Sequence, residues 1–358
     1  MDALFEIAGR FVPGHTLQSI TPLGNGLIND TYRVDTHRHS FVLQRINHQV
    51  FPKPPLIMEN LARLQAHLNK SSQTVKLTIP ALLSANGQPW VHDAGSGYWR
   101  AQAFVADTLS LEAVETPEHA RQAGFALGHF HRLCHDLEPA SLHDTLPGFH
   151  ITPEYLQHYR IICAGSNREA SPENQYCRDF IEQLAPAANS LEHAKHQGLL
   201  KLRVIHGDPK LNNFLFDRHA RRVVSLIDLD TVKPGLVHYD IGDCLRSCCQ
   251  STTADSTGES FDLNIAGILL EGYLEEAHGF FSPEDYAFLY AAIELIPFEL
   301  GLRFYTDYLQ GNIYFKVSRP EQNLQRAVKQ FELCASIRRQ QPMLKAIIAK
   351  LQHVFSPR

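Results

Sequence analysis

Between Ile205 and Asp230 the chain gathers side chains able to hold a cation and to accept a proton. The stretch HGDPKLNNFLFD carries Asp208, Lys210 and Asn213, and the later stretch VVSLIDLD ends on Asp228 and Asp230. Apolar residues on either side of RHARR predict a β hairpin from these two segments. Folding it back brings Asp208, Asn213 and Asp228 to one end, although 20 residues separate the two carboxylates. Two carboxylates and an amide oxygen, with no thiolate and no added imidazole, form a hard-oxygen set suited to Mg²⁺, which completes its octahedron with water and phosphate oxygens. The plain alternative is a capped hairpin without chemistry.

The elements that must position this set change character along the chain. LQSITPLG and TYRVDT flank a glycine-rich turn, FVLQRIN follows a second turn, and YWRAQAFVA lies near residues 98–106, which predicts an antiparallel meander and a further strand. After Pro54-Pro55, Ile57, Leu61, Leu64 and Leu68 recur at helical spacing. Beyond residue 106 the pattern is mostly helical. Four helix starts share a Ser/Thr-Pro-Glu sequence: at Thr116, Thr152, Ser171 and Ser282. In each the hydroxyl is expected to cap, the proline to open the first turn, and the glutamate to favour the positive helix end.

Composition removes several classes of function. With 33 Lys and Arg against 38 Asp and Glu, the net charge of −5 gives no global basic surface for nucleic acid. No apolar run reaches the roughly 18–20 residues that span a bilayer, and Asp2, Glu6, Arg10 and Pro13 interrupt the N-terminus where a signal peptide would be apolar. Seven scattered cysteines suit a reducing compartment, so a cytoplasmic location is expected. Cys244, Cys248 and Cys249 lack the companion ligands of a structural zinc, and His129, His131 and His135 lack the glutamate of a zinc-protease helix; packing and capping are expected of both groups.

The run H-G-D-P-K-L-N-N sets an asparagine five positions after an aspartate, the spacing of the protein-kinase catalytic loop. On these residues the chain resembles the protein-kinase-like small-molecule phosphotransferases, the aminoglycoside phosphotransferase and choline kinase superfamily. The resemblance implies a bilobal α+β fold: a small antiparallel-β N-lobe with one main helix, residues 1–105, for nucleotide, and a larger, mostly helical C-lobe with the catalytic hairpin, residues 106–358. It implies Asp208 as the base that orients an acceptor hydroxyl, Lys210 as a charge partner of the phosphoryl group, and Mg²⁺ on Asn213 and Asp228.

Further parts follow from that likeness. GNGLIND offers Gly24, Asn25 and Gly26 as a turn over the phosphates of ATP; it lies between strands, unlike a dinucleotide-binding fingerprint, and no P-loop sequence occurs. Where kinases have a lysine on the third strand, FVLQRIN offers Arg45, with Glu59 as its expected partner. FVADTLS would be the hinge, with Phe104 and Ala106 supplying backbone groups to adenine. The chain lacks D-F-G and A-P-E after the hairpin, which disfavours a protein substrate.

The combination of GDPKLNNFLFD, IDLDTVKPG, DIGDCLR and LRFYTDYLQGNIYFKV is similar to the N-acetylhexosamine 1-kinases across most of the chain. That similarity implies transfer from ATP to the anomeric hydroxyl of N-acetylglucosamine or N-acetylgalactosamine, with Asp208 facing O1 and Asp230, Arg303 and Tyr314 binding the sugar. Asp240, Asp243 and Arg246 read as ionic support for the hairpin. The expected partner is a small sugar, with no nucleic acid or membrane, in a monomer or weak homodimer. Alternatives are a kinase of choline, homoserine, a methylthioribose-like sugar or an aminoglycoside, and a catalytically silent nucleotide-binding regulator.

Overall fold

A computed structural model describes residues 2–24, 28–70, 77–166, 171–251 and 260–355. Its N-terminal part is a five-stranded antiparallel sheet, β1 (Leu17–Pro22), β2 (Asp30–Thr36), β3 (Ser40–Arg45), β4 (Val91–Asp93) and β5 (Gly97–Ala103), in the order β1-β2-β3-β5-β4. The expected meander and fourth strand are present. Helix α1 (Asp2–Phe11), which the sequence reading passed over, lays Ile7, Ala8 and Phe11 on one sheet face against Val34, Phe41, Leu43, Trp99 and Ala101. Strand residues alternate between faces, so the residues between these point the other way.

Helix α2 (Pro54–Leu68) follows β3. Its stripe of Ile57, Leu61, Leu64 and Leu68 is buried as expected, but in the large core of the helical part and not in the core beneath α1. Asn60 ties α2 to that part, donating to the His143 and Val232 carbonyls at 2.8 and 2.9 Å and accepting the His143 N–H at 2.9 Å.

Past the coil at 104–107, β6 (Thr108–Ser110) pairs with the hairpin strand β8, and the helices α3 (Pro117–Leu133), α4 (Thr152–Gly165), α5 (Pro172–Leu184) and α6 (Ser190–His196) follow. Strand β7 (Arg203–Ile205) precedes the hairpin of β8 (Phe214–Asp217) and β9 (Val223–Leu226), and pairs with β10 (Lys233–Gly235). The remainder is α7 (Val237–Cys248), the antiparallel pair β11 (Gln250–Ser251) and β12 (Ser260–Phe261), α8 (Leu263–Ala277), α9 (Pro283–Leu309), α10 (Gln322–Arg339) and α11 (Gln341–Phe355).

Three of the four expected caps form: the hydroxyls of Thr116, Ser171 and Ser282 each accept the N–H three residues on. Thr152 does not cap α4; its hydroxyl donates instead to buried Glu299 at 2.7 Å. Helices α3 and α8 pack backbone to backbone, since a Cβ on Gly128 would lie 2.3 Å from the Tyr273 carbonyl oxygen. That contact sets His129 against Glu276 and His131 against Tyr273 and Asp240, while His135 lies beyond the helix on the Arg132 carbonyl. All seven cysteines are free, and Cys244, Cys248 and Cys249 are buried. Among the described residues no helix is long and apolar enough to cross a membrane.

Candidate active site

The loop between β7 and β8, which holds Asp208, Lys210 and Asn213, has its backbone pinned on three sides. Asp240 of α7, fully buried, accepts the N–H of His206 at 2.7 Å and of Gly207 at 2.8 Å, while its Oδ2 also meets His131 Nε2 at 2.9 Å. His150 Nε2 donates to the Gly207 carbonyl at 2.8 Å and its Nδ1 faces Glu299 at 3.0 Å. From the hairpin side, Thr231 donates to the His206 carbonyl at 2.9 Å. Gly207 has φ +88°, and a Cβ there would meet the Thr231 oxygen at 2.7 Å. Backbone strain and close approach together explain why glycine stands before Asp208.

This frame brings the expected cluster together. Lys210 Nζ donates to Asp208 Oδ2 at 2.7 Å and lies 4.0 Å from Asp228 Oδ2. Asn213 donates to the Asp208 carbonyl oxygen at 2.7 Å, and its own carbonyl accepts the Ile227 N–H at 3.0 Å, which places Asp228 beside it. Asp228 adopts φ +60°, a left-handed conformation that aspartate tolerates and that turns the chain sharply at the end of β9.

Electrostatics separates the two carboxylates. Burial pushes the Asp208 carboxyl up, but the Lys210 ammonium outweighs it and holds the group below its usual range. Asp228 is pushed up by burial and by the nearby Asp230 and Asp208 carboxylates, with Lys210 only partly offsetting them. Burial lowers Lys210, and Asp208 and Asp228 more than reverse this. A carboxylate driven toward protonation by burial and by neighbouring carboxylates fits a divalent cation, whose charge would offset both. Asp228 and Asn213 could hold such a cation.

Other expected residues are placed as follows. Gly24 has φ +70°, while Asn25 and Gly26 lie outside the described residues. The expected pairing of Arg45 with Glu59 is corrected. Arg45 is paired with Asp30 across β2 and β3, and by strand alternation shares the face of Phe41 and Leu43 that α1 covers; Gln44 faces the hairpin side. Glu59 meets His143 at 2.9 Å and Arg63 at 3.7 Å. Phe104, over which Arg33 lies at 4.8 Å, and exposed Ala106 occupy the coil before β6. The hairpin is next to them, since Ser110 donates to the Asn212 carbonyl at 2.8 Å.

Asp230 is buried, 2% exposed, and its carboxylate joins the sheet to the hairpin: Asn29 donates to Oδ2 at 2.8 Å, and Arg100 Nη2 lies 2.5 Å from Oδ1. Arg303 stands in a frame of rings, with its guanidinium 5.0 Å from Phe149, 5.2 Å from Tyr155, 5.5 Å from Phe315 and 5.7 Å from Tyr314. Asp208 is near enough for its charge to act on Arg303. Tyr314 and Phe315 are held by buried Asp307, which accepts the N–H groups of Ile313, Tyr314 and Phe315 at 2.8, 2.8 and 3.0 Å. Asp243 pairs with Arg246 at 2.7 Å beneath the loop. Sequence reasoning missed Arg100, His150 and Glu299; only the apolar alternation around Arg100 in YWRAQA signals one of them.

The sequence profile of the Phosphotransferase enzyme family matches residues 19–288. The chain belongs to that family. Its fold is that of solved phosphotransferases and choline kinases. The structure of an aminoglycoside phosphotransferase from Alicyclobacillus acidocaldarius superposes with a TM-score of 0.62 at 16% identity, covering 98% of this chain and 96% of that one. A choline kinase from Cryptosporidium parvum gives 0.60 at 12%, covering 98% of each. The GDP complex of aminoglycoside 2′-phosphotransferase-IIIa gives 0.61 at 12%, covering 94% of this chain and 98% of that one.

Proposed function

We propose that the protein is an ATP- and Mg²⁺-dependent kinase that transfers the γ-phosphoryl group to the anomeric hydroxyl of an N-acetylhexosamine, giving the sugar 1-phosphate. Family membership and the Asp208–Lys210–Asn213–Asp228 cluster support the kinase reading. The observation that carries the acceptor class is Arg303 inside its aromatic frame. Rings arranged around a cation would suit a quaternary ammonium, but here a guanidinium already fills them. An acceptor near Asp208 then meets a fixed donor fork, which suits the hydroxyl and acetamido oxygens of a sugar and opposes choline. The extended likeness to N-acetylhexosamine 1-kinases supplies the particular sugar.

The division of labour follows from charge. Asp208, held ionised by Lys210, accepts a hydrogen bond from O1 and aligns it with the γ-phosphorus. The O1–P bond forms as the bond to the β-phosphate oxygen breaks, ADP leaves, and the O1 proton passes to Asp208. A weak base is enough, because little proton transfer has occurred in a loose transition state and an anomeric hydroxyl is more acidic than a simple alcohol. Lys210 stays beside the transferring group. Bound Mg²⁺ on Asn213 and Asp228 would neutralise charge on the β- and γ-phosphates. Arg303 and Tyr314 orient the ring, and we assign Asp230 to holding the sheet against the hairpin.

The test is ADP release with a panel of free hexosamines, N-acetylhexosamines, choline, homoserine and aminoglycosides, followed by phosphorus NMR of the product. The proposal expects N-acetylhexosamines to turn over best, with phosphate on C1. Preferred turnover of choline or an aminoglycoside overturns the acceptor assignment, and phosphate on C6 overturns the regiochemistry.

A further inference from the structure

The sheet must present a positive charge to the nucleotide if the kinase reading holds, and the third strand does not supply it. Arg45 is paired with Asp30 on the α1 side, and the residue facing the hairpin at that height of β3 is uncharged Gln44. Register places Arg100 of β5 directly opposite Gln44. Trp99 and Ala101, its neighbours, lie under α1, so Arg100 faces the hairpin with Gln44. We propose that Arg100 is the residue that grips the nucleotide phosphates from the sheet. The inference rests on the proposed kinase function and names a binding residue that it lacked.

Four observations converge on Arg100. Its side chain is 1% exposed, yet it is a full charge, so its surroundings must be arranged for it. Nε and Nη2 donate to Gln44 Oε1 at 3.0 and 2.8 Å, which fixes the plane of the guanidinium. Nη1 is buried and has no hydrogen-bond partner among the described residues. Finally, the group touches Asp230, two residues beyond Asp228, and Asp230 also holds Asn29 at the exit of the glycine turn. Arg100 thus shares Asp230 with Asn29, and Asp230 lies two residues along the chain from the carboxylate expected to hold the metal.

The arrangement explains why uncharged Gln44 stands on the third strand where kinases present a lysine. A lysine at position 44 would put a second cation against Arg100, whereas glutamine accepts from it and orients it. Asp230 is the stand-in partner: its carboxylate balances the guanidinium until phosphate oxygens, richer in charge and suited to a planar fork, approach Nη1.

The test separates phosphate binding from a merely structural pin. The double variant Arg100→Gln with Asp230→Asn removes both buried charges together, which avoids stranding either one. Calorimetry on the full chain with Mg²⁺ measures ATP, ADP and adenosine. The proposal expects ATP affinity to fall by about 30-fold or more, ADP affinity to fall as well, and adenosine affinity to stay within about threefold. ATP affinity within about threefold of wild type, or equal losses for ATP and adenosine, overturns it. Should the double variant not fold, Arg100→Lys, which keeps the charge beside Asp230 but loses the fork, is read by the same two comparisons, with about a tenfold loss for ATP expected. If wild type binds no ATP at all, the kinase reading falls, and this inference with it; if wild type binds ATP and the variants bind it equally, only Arg100 is misassigned.

Discussion

Asp240 Oδ1 accepts the backbone N–H of Gly207 at 2.8 Å, so a buried carboxylate on α7 fixes the peptide that leads into Asp208. With three donors on two oxygens, asparagine cannot replace it, because its amide N–H groups would face an N–H. Asp240→Asn should lower unfolding stability by about 1–3 kcal/mol and reduce kcat by about tenfold or more. Chemical denaturation and steady-state kinetics check it; unchanged values in both would show that the loop holds its shape without this anchor.

Gly207→Ala should be costlier than a usual surface change. Its positive φ and a Cβ 2.7 Å from the Thr231 oxygen require the loop or the hairpin to shift. A loss above about 1 kcal/mol is expected, together with a fall in kcat, since Asp208 is the next residue. Stability and turnover within error of wild type would mean that the loop relaxes without moving Asp208.

Stability should depend on pH through His150 and Glu299. Burial lowers the His150 pKa, but the Glu299 carboxylate and the Gly207 carbonyl more than reverse this, so it ends above its ordinary 6.5. Both ring nitrogens face acceptors, which suits imidazolium. Its contribution is complete below the unfolded value of 6.5 and is lost as pH rises through the higher folded value. Glu299, raised by burial but lowered further by His150, ends below 4.5; its contribution is present above 4.5 and is lost as pH falls through the folded value. The Tm difference between wild type and His150→Gln should therefore be larger at pH 6 than at pH 9. A difference independent of pH would assign His150 a neutral role.

Arg303→Lys tests the acceptor side. Lysine keeps the charge but cannot lie flat among four rings or offer a fork. The acceptor KM should rise by about tenfold or more with the ATP KM within about threefold. Equal rises in both would place Arg303 in the scaffold and not against the sugar.

How far the sequence reveals this molecule depends on what each pattern encodes. Apolar alternation exposed β1, β2, β3 and β5, and the aspartate–asparagine spacing exposed the loop, because both are local. Helix α1 carries an apolar stripe of Ile7, Ala8 and Phe11, which a reading of the same residues as a targeting segment does not use. Charge alone singles out Arg45; the same alternation, applied to FVLQRIN, puts it with Phe41 and Leu43 and turns Gln44 toward the hairpin. His150, Glu299 and Arg100 find their partners 57, 149 and 130 positions away, and no local spacing announces such contacts. Thr152 matched a cap sequence, but a buried carboxylate competed for its hydroxyl.

The most direct measurement is acceptor phosphorylation by Asp208→Asn, with N-acetylhexosamine and Mg²⁺-ATP, beside a calorimetric titration of the nucleotide. Asparagine keeps the shape and removes the carboxylate proposed to align O1. Turnover should fall by about 10²–10⁴-fold, with nucleotide affinity within about threefold. Turnover within about tenfold of wild type would contradict the assignment of Asp208 as the group that receives the acceptor proton.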